Sequence, residues 1–205
     1  TGVQTCALPI CHPGLKPGQE EGILKGIYLL QPSAKKAKQR VQLMGSGTIL
    51  REVIAAAELL EKDWDIAADI WSAPSFTLLA RDGQDAERWN LLNPTAKSPR
   101  VPFVTQALQS SEGPVIAATD YMRTYAEQIR AYMPAGRTYK VLGTDGFGRS
   151  DTRAKLREFF EVNRYFVTVA ALKALADAGS INASVVAKAV EKYGIDPNKP
   201  NPVTQ

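Results

Sequence analysis

The sequence predicts an α/β domain in which a mostly parallel sheet is covered by helices on both faces. Short apolar runs that end at glycine or proline recur along the chain, as expected for buried strands. Amphipathic helical patterns separate these runs, and this alternation implies crossover connections between parallel strands, which we expect to be right-handed. With 205 residues, 44% of them hydrophobic, the chain is long enough for one sizeable core.

Five apolar runs are the candidate strands. In chain order they are "ILKGIYLL", "RVQLMGSG", "AADIWSAPSF", "PVIAATD" and "TYKVLGTD". Gly45 and Gly47 end the second run and Pro74 ends the third, because neither residue type suits the interior of a buried strand. The four later runs therefore form the regular alternation of strands and helices.

The clearest helix is predicted over "TILREVIAAAELLEKD", with Thr48 as its N-cap. Spacings of three and four residues place one apolar face on it: Ile49, Leu50, Val53, Ile54, Ala57 and Leu60. Further helices are predicted over "DGQDAERWNLL", "YMRTYAEQIRAYM", "DTRAKLREFF", "RYFVTVAALKALADAG" and "ASVVAKAVEKYG". Ser150 or Asp151 is expected to cap the third of these five, and Asn182 the last.

The composition argues against nucleic-acid and membrane partners. The net charge is +4, but basic residues are dispersed along the chain. The densest basic stretch, Ala34–Arg40, is interpreted as a solvated linker, because no aromatic residues are interleaved with its charges. No run of about 18 apolar residues occurs, so no membrane span is expected.

The first ten residues, "TGVQTCALPI", resemble a forward translation of a common sequencing-adapter end. We therefore expect residues 1–11 to be a sequencing artefact, with the identity of Cys11 compromised, and the natural protein to extend further upstream. Neither Cys6 nor Cys11 then supports a disulfide framework. Because His12 is the only histidine, chemistry in this chain must rest on carboxylates, arginine, lysine and tyrosine, or be absent.

The glycine-rich turn after the second apolar run is a possible anion site. It consists of Gly45, Ser46, Gly47 and Thr48. A strand-to-helix turn of this kind presents free backbone N–H groups to an anion. It lacks the lysine of a phosphate-binding loop and the GxGxxG spacing of a dinucleotide fold, so a tight structural turn is the alternative.

The segment "GTDGFGRSDTR" follows the last apolar run and gathers polar side chains at the carboxyl end of a strand. Asp145, Arg149, Asp151 and Arg153 are candidate loop or interface contacts. Open α/β sheets place their crevices at such strand ends. Asp145 as a general acid or base would need a partner and a pocket, and the alternative is a corner followed by a capped helix.

The segment "LARDGQDAERWN" carries a third set of candidates. Asp82 and Asp85 could form a catalytic carboxylate pair. Asp82, Arg88 and Trp89 are instead interpreted as a polar interface with an aromatic anchor. The residues by themselves therefore indicate no complete catalytic, cofactor or metal site.

Several segments together carry a family resemblance. They are "EEGILKGIYLL", "VQLMGSGTILREV", "SFTLLARDGQDAERWN", "PRVPFV", "ATDYMRTYAEQIRAYMP" and "YKVLGTDGFGRSDTR". In this order they resemble the C-terminal part of the homodimeric thiamine-diphosphate-dependent pyruvate dehydrogenases, from about His12 to the end of the chain.

The resemblance implies a three-layer α/β/α domain of the transketolase C-terminal type, with about five mostly parallel strands. It also implies a division into an artefact (1–11), the end of a preceding domain and a linker (12–40), the C-terminal domain (41–195) and a tail (196–205). The tail is expected to be disordered or draped over the domain. The transketolase C-terminal type thus agrees with the fold class that the apolar pattern predicts.

The resemblance further implies an enzyme that decarboxylates pyruvate on thiamine diphosphate with magnesium and acetylates the lipoyl group of an acetyltransferase component. The family's diphosphate motif, activating glutamate and active-site histidines have no counterpart here, so the isolated chain is expected to bind no cofactor and to be inactive. Expected partners are its own upstream domains, a second subunit and the acetyltransferase, in the bacterial cytoplasm. The alternatives are a stand-alone phosphate- or nucleotide-binding module and another transketolase-type thiamine enzyme.

Overall fold

A computed structural model describes residue 14 and residues 16–205. The strands are β1 (Tyr28–Gln31), β2 (Gln39–Gly45), β3 (Ile66–Ser72), β4 (Val115–Ala118) and β5 (Tyr139–Leu142). The helices are α1 (Glu20–Lys25), α2 (Leu50–Asp63), α3 (Phe76–Leu92), α4 (Phe103–Leu108), α5 (Arg123–Glu127), α6 (Arg153–Phe159), α7 (Arg164–Asp177) and α8 (Ala183–Lys192). The expected artefact at 1–11 and His12 lie outside the described residues.

The five strands form one sheet in the order β1-β3-β2-β4-β5. Strands β2 to β5 are parallel, and β1 pairs antiparallel with β3 at one edge. In the centre, Leu43 of β2 is in register with Ile70 of β3 on one side and with Ile116 of β4 on the other. The predicted mostly parallel sheet is therefore confirmed.

Helices cover both faces of the sheet, which makes three layers. Helices α2, α7 and α8 bury one face, and α3, α4 and α5 bury the other. Consecutive residues of a strand point to opposite faces, so Leu43 belongs to the first core and Met44 to the second, both without exposed surface. Burial on both faces explains why the inner strands β3 and β4 are largely apolar, whereas burial alternates in the edge strands β1 and β5.

The first predicted strand is partly wrong. The first half of "ILKGIYLL" ends helix α1, and only Tyr28–Gln31 is extended. Gly26 ends the helix in the left-handed conformation, with φ of 100°. Because β1 pairs with β3, the sheet begins before residue 41, while the assignment of 12–40 to a preceding domain and linker stays a prediction.

Two helices differ in length from their predictions. The short helix predicted at "DGQDAERWNLL" is the second half of the 17-residue α3. That helix starts directly after "SAPS", because the Ser75 side chain accepts a hydrogen bond from Leu78 N at 3.1 Å. The helix predicted over "YMRTYAEQIRAYM" divides into α5 and a 3₁₀ turn at Arg130–Tyr132.

The helix caps also distinguish correct from wrong predictions. Asn182 caps α8 as predicted, accepting from Ser184 N at 2.8 Å. Helix α6 is capped by Thr152, whereas Ser150 and Asp151 were the predicted caps. Asp151 instead accepts the Thr152 backbone N–H at 2.6 Å.

The C-terminal tail lies against the domain. Lys199 Nζ donates to Phe159 O at 2.6 Å and pairs with Glu161 at 3.2 Å. Pro202 is buried. Of the two predicted states of the tail, draped and disordered, the structure therefore shows the draped one. In residue 14 and residues 16–205, no helix has the length and apolar character needed to cross a bilayer.

Candidate functional site

Three loops meet at the carboxyl edge of the sheet, where β2, β4 and β5 end. Backbone hydrogen bonds join them, from Ser46 N to Ala118 O and from Thr119 N to Leu142 O, each at 3.1 Å. Parallel strands bring their carboxyl ends to the same edge, which is where this class of fold carries its sites. The predicted anion turn and the "GTDGFGRSDTR" loop are therefore neighbours.

Asp120 occupies the predicted anion turn. Thr48 Oγ1 donates to Asp120 Oδ2 at 2.9 Å, so Thr48 does not cap α2 as predicted, and Ile49 takes the cap position. Gly47 has φ of 56°, and a Cβ there would lie 3.1 Å from Asp120 Oδ1. An external anion at this turn would meet the Asp120 carboxylate, and anion binding at Gly45, Ser46, Gly47 and Thr48 stays a prediction.

Asp145 is held by Arg123. Its carboxylate accepts from Arg123 Nε at 2.5 Å and from the Arg123 backbone N–H at 3.3 Å. The same loop donates from Thr144 N to Tyr121 O at 2.9 Å. These bonds fix the loops after β4 and β5 to each other, and they give Asp145 a positioning role in the loop.

The loops enclose one side of a cavity of about 370 Å³. Arg149, Arg153 and Arg157 line it, opposite Asp120. The Arg149 guanidinium lies 5.3 Å from the centre of the Phe159 ring. Among the described residues, neither Arg149 nor Arg153 has a carboxylate partner. The structure thus brings these two predicted contact residues together in a cavity with excess positive charge.

A second cavity of about 590 Å³ shares Arg153 and Arg157 with the first. Its wall includes Glu52, a buried carboxylate of α2. Glu52 accepts from Arg157 Nη1 at 2.9 Å and from Arg164 Nε at 3.0 Å. Burial raises the pKa of Glu52, but the hydrogen bonds and charges of the two arginines outweigh it and hold that pKa below its ordinary value. No pattern in the sequence singled out Glu52.

The third set of candidates lies apart from both cavities, on α3. Asp82 accepts the Phe103 backbone N–H at 2.5 Å, while Asp85 pairs with Arg100 at 3.1 Å. Arg100 also lies 4.7 Å from the Trp89 ring centre, and Arg88 is exposed. Asp82 and Asp85 thus have separate structural partners, and the polar interface at this segment stays a prediction.

The described residues contain no cluster of metal-binding carboxylate, histidine or cysteine side chains. Within this part of the chain, no three histidine, cysteine, aspartate or glutamate side chains come together to hold a metal ion. Every buried side-chain nitrogen or oxygen in it has a hydrogen-bond partner. The expected absence of a magnesium or thiamine diphosphate site from this chain stays a prediction. The geometry defines a three-layer α/β/α domain with a polar, arginine-lined carboxyl edge.

A family model and a solved structure both match this three-layer domain. The model of the transketolase-like C-terminal domain matches residues 26–163, and the chain belongs to this family. The solved transketolase of Leishmania mexicana superposes with a TM-score of 0.51 at 17% identity, over 80% of this chain and 21% of that one. At that identity the likeness shows the fold alone.

Within this family, the chain is most informatively compared with pyruvate dehydrogenase E1 components. The chain is 59% identical over 194 residues to the pyruvate dehydrogenase E1 component of Cupriavidus necator, covering 94% of this chain and 21% of the relative. It is 53% identical over 190 residues to that of Escherichia coli K12, covering 93% and 21%. The chain matches these proteins as a C-terminal part and spans about a fifth of their length.

Proposed function

We propose that this chain is the C-terminal domain of a bacterial pyruvate dehydrogenase E1 component. The observation that carries the proposal is the 59% identity over 94% of the chain to the Cupriavidus necator protein. The complete enzyme would decarboxylate pyruvate oxidatively and pass the acetyl group to the lipoyl group of an acetyltransferase component, in the cytoplasm and as a homodimer.

The domain itself contributes packing and orientation. Thiamine diphosphate and magnesium would be bound by the remaining part of the polypeptide, and the lack of a metal-ligand cluster among the described residues of this chain supports that division. The side chains with free hydrogen-bonding or charged groups lie on its surface, as Arg149 and Arg153 do. We assign these, with Asp82, Arg88, Trp89, Asp145 and Asp151, to positioning and contact roles in the assembled enzyme.

A chimera tests the proposal. Residues 12–205 of this chain would replace the matching C-terminal part of the Cupriavidus necator enzyme, and pyruvate decarboxylation would be followed with an artificial electron acceptor. We expect activity within an order of magnitude of the parent enzyme, because most residues of the replaced domain are identical. A chimera that folds and dimerises but does not turn over pyruvate would refute the assignment.

The isolated chain provides the complementary measurement. Calorimetric titration with thiamine diphosphate and magnesium should show no saturable binding, and the parent enzyme is the positive control. Micromolar binding by the isolated chain would mean that this domain holds the cofactor, which contradicts its proposed role.

A stand-alone phosphate-binding module is the second candidate. The observation in its favour is that Arg149 and Arg153 line a cavity of about 370 Å³ without carboxylate partners among the described residues. Calorimetric titration of the isolated chain with phosphate and pyrophosphate tests it. Binding that Arg149→Ala and Arg153→Ala abolish would support this candidate.

A further inference from the structure

We propose that the aromatic surface at the carboxyl edge is the docking site for the upstream part of the same polypeptide, and that an acidic segment of that part faces Arg149 and Arg153. This inference rests on the proposed function. The aromatic surface comprises Tyr121, Met122, Tyr125 and Phe147, on the loops and helix start that follow β4 and β5.

The aromatic surface exposes large apolar side chains that are usually buried in folded proteins. The exposed fractions are 61% for Tyr121, 49% for Met122 and 77% for Phe147. Tyr125 is 37% exposed and contacts Tyr121 edge to face, with ring centres 4.9 Å apart. Large apolar side chains exposed on two joined loops mark an interaction site, because leaving them in water costs free energy.

The same surface is rigid. Tyr121 O accepts from Thr144 N, and Arg123 binds Asp145, so the two loops that carry the aromatic side chains are tied together. Gly146 has φ of 102°, and a Cβ there would lie 2.7 Å from the backbone oxygen of Pro202, the buried residue of the tail. A preorganised surface loses little entropy when a partner docks on it.

The residue types and charges indicate a protein partner with acidic groups. Tyrosine, phenylalanine, methionine and arginine are the residues that protein interfaces concentrate. Arg149 and Arg153 lie on the adjoining cavity wall, and the described residues supply no carboxylate to either of them. Burying these guanidinium groups without anionic partners would be costly, so the occupant should bring carboxylates.

The length of the relatives supports the upstream part of the polypeptide as the occupant of this surface. This chain spans 21% of the Cupriavidus necator relative, so under the proposed function about four fifths of the polypeptide would lie upstream and need a surface of this domain to pack against. Another exposed apolar group lies near the end of α3, at Leu91, Leu92 and Val101, but its exposed members are aliphatic, and the neighbouring Trp89 is partly buried under Arg100. Leucine and valine are under-represented among residues that dominate binding, which favours the aromatic surface.

Hydroxyl-radical footprinting with mass spectrometry tests the inference in the full-length chimera. We expect labelling of Tyr121, Tyr125 and Phe147 to fall at least severalfold in the chimera relative to the isolated chain. Leu91 is the control, because it is 77% exposed and lies near the end of α3, apart from both cavities. Equal labelling of the aromatic surface in both proteins would overturn the inference.

Charge reversal tests the acidic partner. Arg149→Glu with Arg153→Glu in the chimera should restore much of the labelling of Tyr121 and Phe147, whereas Arg88→Glu on α3 should not. A cooperative thermal unfolding transition of the isolated double variant serves as the check that the domain still folds. If Tyr121 and Phe147 stay equally protected from labelling in the double variant, the inference that an acidic segment faces Arg149 and Arg153 is refuted.

Two further outcomes would assign the surface to another occupant. Concentration-dependent protection in the isolated chain would make it a contact between copies of this chain. Phosphate binding that persists in the chimera and requires Arg149 and Arg153 would make the cavity a small-anion site. A chimera that is inactive yet protected would refute the proposed function and leave the docking surface intact.

Discussion

At the scale of single residues, Glu52 carries the most concentrated interaction in the domain. It lies buried on α2 and accepts four hydrogen bonds, one from Arg157 and three from the side chain and backbone of Arg164. These donors replace the hydrogen bonds from water that the carboxylate loses on burial. It joins α2 to α6 and to the start of α7.

We expect Glu52→Gln to lower the free energy of unfolding by about 1–2 kcal/mol at pH 7, since it removes the charge from hydrogen bonds to buried groups. The folded-state pKa of Glu52 lies below the ordinary 4.5, so its stabilisation is complete above pH 4.5 and is lost as the pH falls through the lowered value. The difference between variant and wild type should therefore shrink below pH 4.5. Urea unfolding at a series of pH values measures it.

Glu58→Gln is the control for this experiment. Glu58 is an exposed residue of the same helix, and its substitution should change stability little at any pH. A Glu52→Gln deficit that stays constant down to the acid transition would show that charge is not what Glu52 contributes.

At the scale of elements, α8 is joined to α2 by a polar cluster. Trp64 Nε1 donates to the Tyr193 hydroxyl at 2.8 Å, and that hydroxyl donates to Asp63 at 3.1 Å. Lys192 also pairs with Asp63 at 2.9 Å. Burial raises the pKa of Tyr193 to about 12. The hydrogen bond from Trp64 lowers this pKa, and the neighbouring Asp63 carboxylate raises it.

We expect Tyr193→Phe to cost about 1–2 kcal/mol of stability, because Trp64 and Asp63 both lose a partner while the ring is kept. Tyr165→Phe is the matched control, since its ring lies 5.0 Å from that of Tyr193 and its hydroxyl makes no hydrogen bond to the described residues. Thermal unfolding of both variants gives the comparison. Equal losses would mean that the Tyr193 hydroxyl does not hold α8.

The elements also show what the sequence could predict. Strands β2, β3 and β4 were predictable because most of their residues are buried on both faces, and α2 because its apolar face is regular. Strand β5 was predictable although its burial alternates, because its buried Tyr139 and Val141 stand in a short apolar run. The first half of α3 was missed because its start depends on the Ser75 cap directly after a strand that ends near Pro74. The helix at Glu20–Lys25 was missed because its apolar residues adjoin β1 and look like one continuous run.

The candidate site was less predictable than the fold. The sequence identified Arg149 and Arg153, because their loop follows a strand. It did not identify Asp120 or Glu52, because their partners Thr48 and Arg164 are 72 and 112 residues away. Contacts of that range depend on the order of strands in the sheet, and local patterns do not determine that order.

At the scale of the whole molecule, two apolar cores share a single sheet. Leu172 of α7 lies in the first core and Leu108 of α4 in the second, and neither has exposed surface. Every strand between the cores pairs with a neighbour, so loss of one helical layer exposes the sheet that supports the other. We therefore expect the isolated domain to unfold as one cooperative unit.

A Trp64→Phe background makes this cooperativity measurable, because Trp71, which lies in the second core, and Trp89 on α3 then supply the fluorescence. Leu172→Ala should cost about 2–5 kcal/mol through the cavity it creates in the first core. It should shift the fluorescence transition as far as the far-UV circular dichroism transition, and Leu108→Ala should do the same from the opposite face. If Leu172→Ala moved the dichroism transition and left the fluorescence transition in place, the layers would be separate folding units.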